Sequence, residues 1–170
     1  MRAIDLHTHT AKSDGSYTPT ELVDYAVSKD LAAVAITDHD SVEGLDEALL
    51  HASSLKEKGL PSTEVIPGIE FSTKYQTQDV HIVGLYISYH SDVFQKALDS
   101  FVNSRIIRNQ KMCQNLRHAG INISYEKLQA LYPDAVITRA HYASFLCEYG
   151  YVRNRQDAFA RYLGLSLIHI

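Results

Sequence analysis

Three side chains in the stretch DLHTHTAKSDG, residues 5–15, are costly to bury unless something binds them: His7, His9 and Asp14. In an extended strand, residues i and i+2 point to the same side, so His7 and His9 aim both imidazoles at one point. Asp14 stands beside Gly15, on a loop free to swing a carboxylate in from the side. Further along, TDHD places His39 between Asp38 and Asp40, GIE supplies Glu70, DVHIVG supplies His81, and ITRAHYA supplies His141 with Arg139 two residues earlier. Imidazole mixed with carboxylate suits Zn²⁺, Mn²⁺ or Fe²⁺ better than Ca²⁺, whose sites are built of oxygen. These are too many ligands for one ion, because a catalytic zinc takes three protein ligands and a water. The set predicts two or three divalent ions, with Glu70 as the natural bridging carboxylate.

Other groups invite the same question and answer it differently. His51 falls within a helical pattern, His90 at a loop start and His118 near a helix C-terminus, where a cation is favoured anyway. None of them shares the logic of the set. Arg105, Arg108 and Lys111 follow one another at i, i+3 and i+6 on a helix. They form either a solvated face or a phosphate-facing stripe of substrate contacts. Tyr142, Tyr149, Tyr151 and Tyr162 stand at helical spacings and are expected to pack.

The elements that must position these residues are legible in turn. RAIDLH alternates and reads as a strand ending at His7. TPTELVDYAVSKDL reads as a helix, with Thr18 as N-cap, Pro19 at the first helical position and Glu21 completing a capping box. AAVAITDHD is an apolar run stopped by polar residues, as in a strand buried on both faces. Ser41 is placed to cap a second helix through about Lys58, and Gly59 suits its end. EVIPGIEFST and DVHIVGLYI read as third and fourth strands. Strand–helix–strand–helix–strand is the pattern of a parallel α/β sheet or barrel, whose C-terminal strand ends carry the chemistry. His7, His39 and Glu70 are expected at such ends. After about residue 90 the pattern becomes helical: Asp92 to Ala119, stopped by Gly120, then segments near 124–131, 141–149 and 155–163.

Composition narrows the class. The 170 residues are 45% hydrophobic and 21% charged, enough for one domain with a sizeable core. A net charge of -4 provides no global basic field, which argues against long duplex nucleic acid as a partner. Cys113 and Cys147 form no CxxC and read as reduced core residues of a cytoplasmic protein, with disulfide pairing as the alternative. Residues 1–11 hold no apolar run of signal-peptide length, and no stretch is apolar enough to span a bilayer, so no membrane partner is expected. Oligomeric state is not encoded legibly.

Taken in order, DLHTHTAKSDG, ITDHD, GIEFST and DVHIVGLYI resemble the motifs of the PHP (polymerase and histidinol phosphatase) family of metal-dependent phosphoesterases. ITRAHYASFLCEYGY and AFARYLG look like the helical insertion with a TRxH motif found in one bacterial branch, whose members act on 3',5'-nucleoside bisphosphates or, as 5'-to-3' exoribonucleases, on short RNA. The resemblance covers residues 1 to about 164. It implies an α/β fold, a distorted (β/α)7 PHP-type barrel with a helical insertion: barrel over 1–90, insertion or cap over 91–164. It implies His7, His9, Asp14, His39, Glu70, His81 and His141 as metal ligands, Asp40 as a partner behind them and Arg139 as a phosphate contact. The ions would be Mn²⁺, Fe²⁺ or Zn²⁺, with Mg²⁺ a further candidate.

The family also uses a later Asp-x-His pair, which this sequence does not contain. The final LSLIHI, 165–170, breaks the pattern and matches one reading frame of a transposon-based sequencing adapter. It is expected to be a non-native tail on a barrel incomplete at its C-terminus, with His169 no ligand and the chain itself a poor catalyst. The function implied is hydrolysis of phosphate esters of nucleotides or short oligonucleotides through metal-activated hydroxide. The alternatives are a histidinol-phosphate-type phosphatase, which need not carry the TRxH insertion, and a non-catalytic metal-binding PHP module.

Overall fold

A computed structural model describes residues 2–76 and 78–164. Four strands form one mixed sheet in the order β1-β2-β3-β4: β1 (Ile4–Thr8), β2 (Ala33–Ile36), β3 (Glu64–Tyr75) and β4 (Gln78–Leu85). β1 pairs parallel with β2, and β2 parallel with the first four residues of β3. From Gly68 onward β3 instead pairs antiparallel with β4, ending in the Tyr75–Gln78 hairpin. The parallel alternation read from the sequence therefore holds for three strands, and the fourth folds straight back. Gly68 marks the switch: a Cβ there would stand 2.8 Å from both the Gly84 carbonyl oxygen and Thr37 Cγ2.

The crossover helices are α1 (Pro19–Ser28) and α2 (Leu45–Glu57). The predicted capping box starts α1: Thr18 Oγ1 accepts from Glu21 N–H at 3.2 Å, and Glu21 Oε2 accepts from Thr18 N–H at 2.8 Å. Ser41 does not cap α2, whose N-cap is Gly44. Its hydroxyl accepts from Glu43 N–H at 3.3 Å, so it stabilises the turn that leads into the helix. Leu22, Val23 and Ala26 of α1 pack with Leu45, Ala48 and Ala52 of α2 onto Val34, Ile36 and Val65 of the sheet. All of β2 is buried, as its continuous apolar run requires. β1 is the edge strand, and its Ile4 and Leu6 are exposed.

The chain divides into two units, Met1–Phe101 and Val102–Ile170. The second unit holds most of α3 (Asp92–His118), then α4 (Tyr125–Leu131), α5 (Arg139–Glu148), α6 (Arg155–Ala158) and a π-helical turn, Phe159–Leu163. Its own core joins Met112, Cys113 and Leu116 to Leu128, Tyr142, Phe145, Leu146 and Leu163. Both cysteines are free thiols. Among the described residues no helix is long and apolar enough to cross a membrane. The predicted tail, 165–170 with His169, lies outside the described residues.

Candidate metal centre

Everything converges on Glu70. It lies inside the 12-residue β3 and not at a strand end, just past the point where β3 leaves β2. The chain beyond β2 stays beside it: Glu70 N–H donates to the Asp38 carbonyl at 3.1 Å, and Asp40 N–H donates to the Glu70 carbonyl at 3.0 Å. This bridge carries His39 alongside Glu70. His81 pairs with Ser72 across the hairpin, two residues from Glu70, so both side chains leave the same face of the sheet. Phe71 points to the opposite face and meets the Phe101 ring at 4.7 Å.

The Glu70 side chain is only 5% exposed, yet it is surrounded by imidazoles. His7 Nε2 stands 2.8 Å and His9 Nε2 3.0 Å from Oε2, while His81 Nδ1 stands 2.6 Å from Oε1. His39 Nδ1 is 3.6 Å from Oε2, and its Nε2 is 3.7 Å from Asp14 Oδ2. Asp14 Oδ1 is in turn 3.9 Å from His9 Nδ1. The His9 and His39 rings stack at 4.6 Å. Burial would raise the Glu70 pKa, but the His7 hydrogen bond, the His39 charge and the His81 hydrogen bond outweigh it and hold the carboxyl below its ordinary value.

Six of the seven predicted ligands thus form one cluster. Their donor atoms fall into three overlapping sets: His7–His9–Glu70, His9–Asp14–His39 and His39–Glu70–His81. Imidazole nitrogen with carboxylate oxygen is the donor chemistry of a borderline divalent ion, so the residues fit the metal that the sequence resemblance implies.

The remaining predicted residues have other settings. Asp40 adopts φ 48° and its Oδ1 accepts from Ser72 N–H at 3.0 Å, tying the loop after β2 to β3 on the far side of Glu70. In the second unit, His141 is buried at the third position of α5, and its Nδ1 accepts from Thr138 N–H at 3.0 Å in a capping box. A ring nitrogen that accepts is the unprotonated one, so in this arrangement the hydrogen sits on Nε2. Arg139 is the first residue of α5.

The basic stripe divides. Arg105 is buried and donates from Nη1 to the Ile137 carbonyl at 3.2 Å, beside Asn109, which donates to the same oxygen at 3.1 Å. That makes Arg105 an internal strut. Arg108 and Lys111 instead line a cavity of about 150 Å³ with Arg161, Tyr162 and an apolar floor of Met112, Leu116 and Ala119.

One site residue escaped the sequence reading. Asp38 is buried, and its carboxylate accepts from Thr10 N–H at 2.7 Å, Thr10 Oγ1 at 2.6 Å and Ser13 Oγ at 2.6 Å. The signal available was an aspartate following the continuous apolar run AAVAI, where an unpaired charge is too costly to bury.

The PHP domain model matches residues 5–166. A 5'-3' exoribonuclease of Haemophilus influenzae is 40% identical, over 94% of this chain and 56% of its own length. A 3',5'-nucleoside bisphosphate phosphatase of Chromobacterium violaceum is 35% identical, over 96% of this chain and 55% of its own. The chain spans about half the length of the curated relatives it matches. Among solved structures, a Chromobacterium violaceum amidohydrolase with sulfate bound and no metal superposes with a TM-score of 0.80 at 35% identity, covering 95% of this chain and 55% of that one. A Bifidobacterium adolescentis protein described as a metal-dependent phosphoesterase gives a TM-score of 0.80 at 29% identity, covering 96% and 56%. The mixed sheet and its helices accordingly form part of an α/β PHP-type barrel. With the motif match and the fold in agreement, the chain belongs to the PHP domain family.

Proposed function

We propose that the Glu70 cluster is the metal centre of a phosphoesterase acting on phosphate esters of nucleotides or short oligonucleotides. The observation that carries this reading is the sharing of donors: a buried carboxylate and two imidazoles each belong to two of three adjacent donor sets. A lone metal-binding motif has no need of such overlap. A phosphoryl group has three oxygens and a leaving group to stabilise at once. Support for a nucleotide substrate comes from the names of the Haemophilus and Chromobacterium relatives.

Two or three divalent ions, Mn²⁺, Fe²⁺ or Zn²⁺ with Mg²⁺ as a further candidate, would be held by His7, His9, Asp14, His39, Glu70 and His81. Bound there, they would supply Lewis acidity, lowering the pKa of a water and offsetting the charge of phosphoryl oxygens. His141, in the second unit, is kept as a metal ligand on the resemblance alone, and to bind through Nε2 it would give up the bond from Thr138 N–H. Asp40 holds Glu70 in register and does no proton chemistry of its own. Arg139 is assigned to the substrate's phosphate, for which a guanidinium offers two parallel donors. Arg108 and Lys111, which line a cavity of the second unit, remain the stripe's candidates for contact with an anionic group, and Arg105, bonded to the Ile137 carbonyl, does not. A cytoplasmic setting is part of this reading, supported by the two free thiols.

The test is release of inorganic phosphate from a 3',5'-nucleoside bisphosphate with and without Mn²⁺. Release abolished by a chelator and restored by Mn²⁺ supports the reading. Absence of metal-dependent release from any phosphoester refutes it.

A further inference from the structure

The loop that bears His9 and Asp14 is wound around the carboxylate of Asp38. One carboxylate oxygen accepts from both Thr10 N–H and Ser13 Oγ, at 2.7 and 2.6 Å, and the other accepts from Thr10 Oγ1 at 2.6 Å. The loop closes on these anchors through bonds from Ser13 N–H and Gly15 N–H to the Thr10 carbonyl, at 3.0 and 2.9 Å. Lys12 N–H also donates to Thr10 Oγ1 at 3.1 Å. There is no slack at its end, since a Cβ on Gly15 would lie 2.1 Å from the His9 carbonyl oxygen. Thr10, Ser13 and Asp38 are each at most 1% exposed.

The Ser13 hydroxyl has a single hydrogen, and Asp38 takes it. His9 Nδ1 lies 3.4 Å from the same Oγ, so in that contact the ring is the donor and the serine oxygen the acceptor. Nδ1 then carries a hydrogen, and Nε2 is the nitrogen turned toward Glu70, 3.0 Å away. Metal-binding histidines are commonly oriented this way, by a carboxylate or carbonyl on the other nitrogen. Here a serine hydroxyl stands between the two.

We propose that Asp38 is the positioning residue of the centre: acting through Thr10 and Ser13, it fixes the reach of Asp14 and the orientation in which the His9 ring turns Nε2 to Glu70. This rests on the reading of the Glu70 cluster as a metal centre. Outer partners of this kind are worth about 10- to 100-fold in metal affinity.

The experiment titrates the metal-free chain with Mn²⁺ and records histidine ring ¹⁵N shifts, which report the hydrogen bond at each ring nitrogen without metal. Ser13→Ala is the central variant, because it removes one hydroxyl, with Asp38→Ala and Asp38→Asn alongside. Ser13→Ala is expected to weaken Mn²⁺ binding about 10- to 100-fold, with unfolding of the metal-free chain little changed, and to move the His9 Nδ1 resonance, because that nitrogen loses its serine partner. Asp38→Asn keeps an acceptor for Ser13 and should bind more tightly than Asp38→Ala. Should Asp38→Ala fail to fold, Ser13→Ala still decides the matter. Wild-type Mn²⁺ affinity and an unchanged His9 Nδ1 resonance in both Ser13→Ala and Asp38→Asn would overturn the proposal and leave the metal centre standing. No Mn²⁺ binding by the wild-type chain would overturn the metal centre itself, and the proposal with it.

Discussion

Glu70→Gln is the most informative single change, because it alters charge and almost nothing else. The glutamine has the size of the glutamate but leaves two of the three donor sets without their carboxylate. In the metal-free chain the loss is buffered: the amide oxygen still accepts from an imidazole, and His7 can turn to water because its side chain is 51% exposed. The larger effect is on what metal adds. An ion at 100 times its dissociation constant stabilises the folded chain by about 2.7 kcal/mol. For a chain of 170 residues, at about 2–4 °C per kcal/mol, that is a rise in melting temperature of about 5–11 °C. Glu70→Gln should lose most of this rise while melting within a few degrees of wild type under chelator. Differential scanning calorimetry with and without Mn²⁺, paired with metal analysis of the recovered protein, gives both numbers. An equal Mn²⁺-dependent rise and equal bound metal in the variant would refute Glu70 as the shared ligand.

Other changes separate structure from chemistry. Gly15→Ala places a methyl 2.1 Å from the His9 carbonyl oxygen, so it should cost more than about 1 kcal/mol in urea unfolding and weaken Mn²⁺ binding together. Arg139→Ala is expected to spare metal content while raising KM or lowering kcat, and loss of metal would disprove its substrate role. Arg105→Ala should instead destabilise the chain by about 2 kcal/mol, because it removes a buried charged donor to the Ile137 carbonyl. Tyr89 donates to Asp46 Oδ1 at 2.7 Å, and burial, that bond and the Asp46 charge push its phenol up to about 12. A raised native pKa stabilises below the unfolded value near 10, and the gain disappears as pH climbs through about 12. Tyr89→Phe should therefore flatten the stability profile across that window, and absorbance at the phenolate band should lose a component that titrates at about 12.

The site was legible in the sequence wherever chemistry and periodicity coincide. His7 and His9 share a face because strand period is 2, and a buried β2 puts His39 at its exit. Glu70 and His81 were found as residue types, but their meeting depends on β3 leaving β2 at Gly68 to form a hairpin, a switch set by close backbone contacts and not by any pattern of side chains. The stripe Arg105–Arg108–Lys111 failed as a unit because helical spacing says which residues neighbour one another and not which side is buried. Arg105 turned inward to the Ile137 carbonyl. Ser41 was read as a helix cap one turn early, since a hydroxyl before a helix serves a preceding turn equally well. Asp38 escaped notice for a related reason: its partners, Thr10 and Ser13, are distant in sequence and ordinary in type.

The claim beneath all of this is that the imidazoles crowd Glu70 because metal ions belong between them. Crystals grown with Mn²⁺, measured on both sides of its absorption edge, test it directly. The account predicts anomalous peaks within coordination distance of Glu70, one shared with His7 and His9 and one with His39 and His81, and a further peak beside Asp14. A well-ordered Glu70 hydrogen-bonded directly to His7, His9 and His81, with no anomalous peak beside it at saturating Mn²⁺, would contradict it.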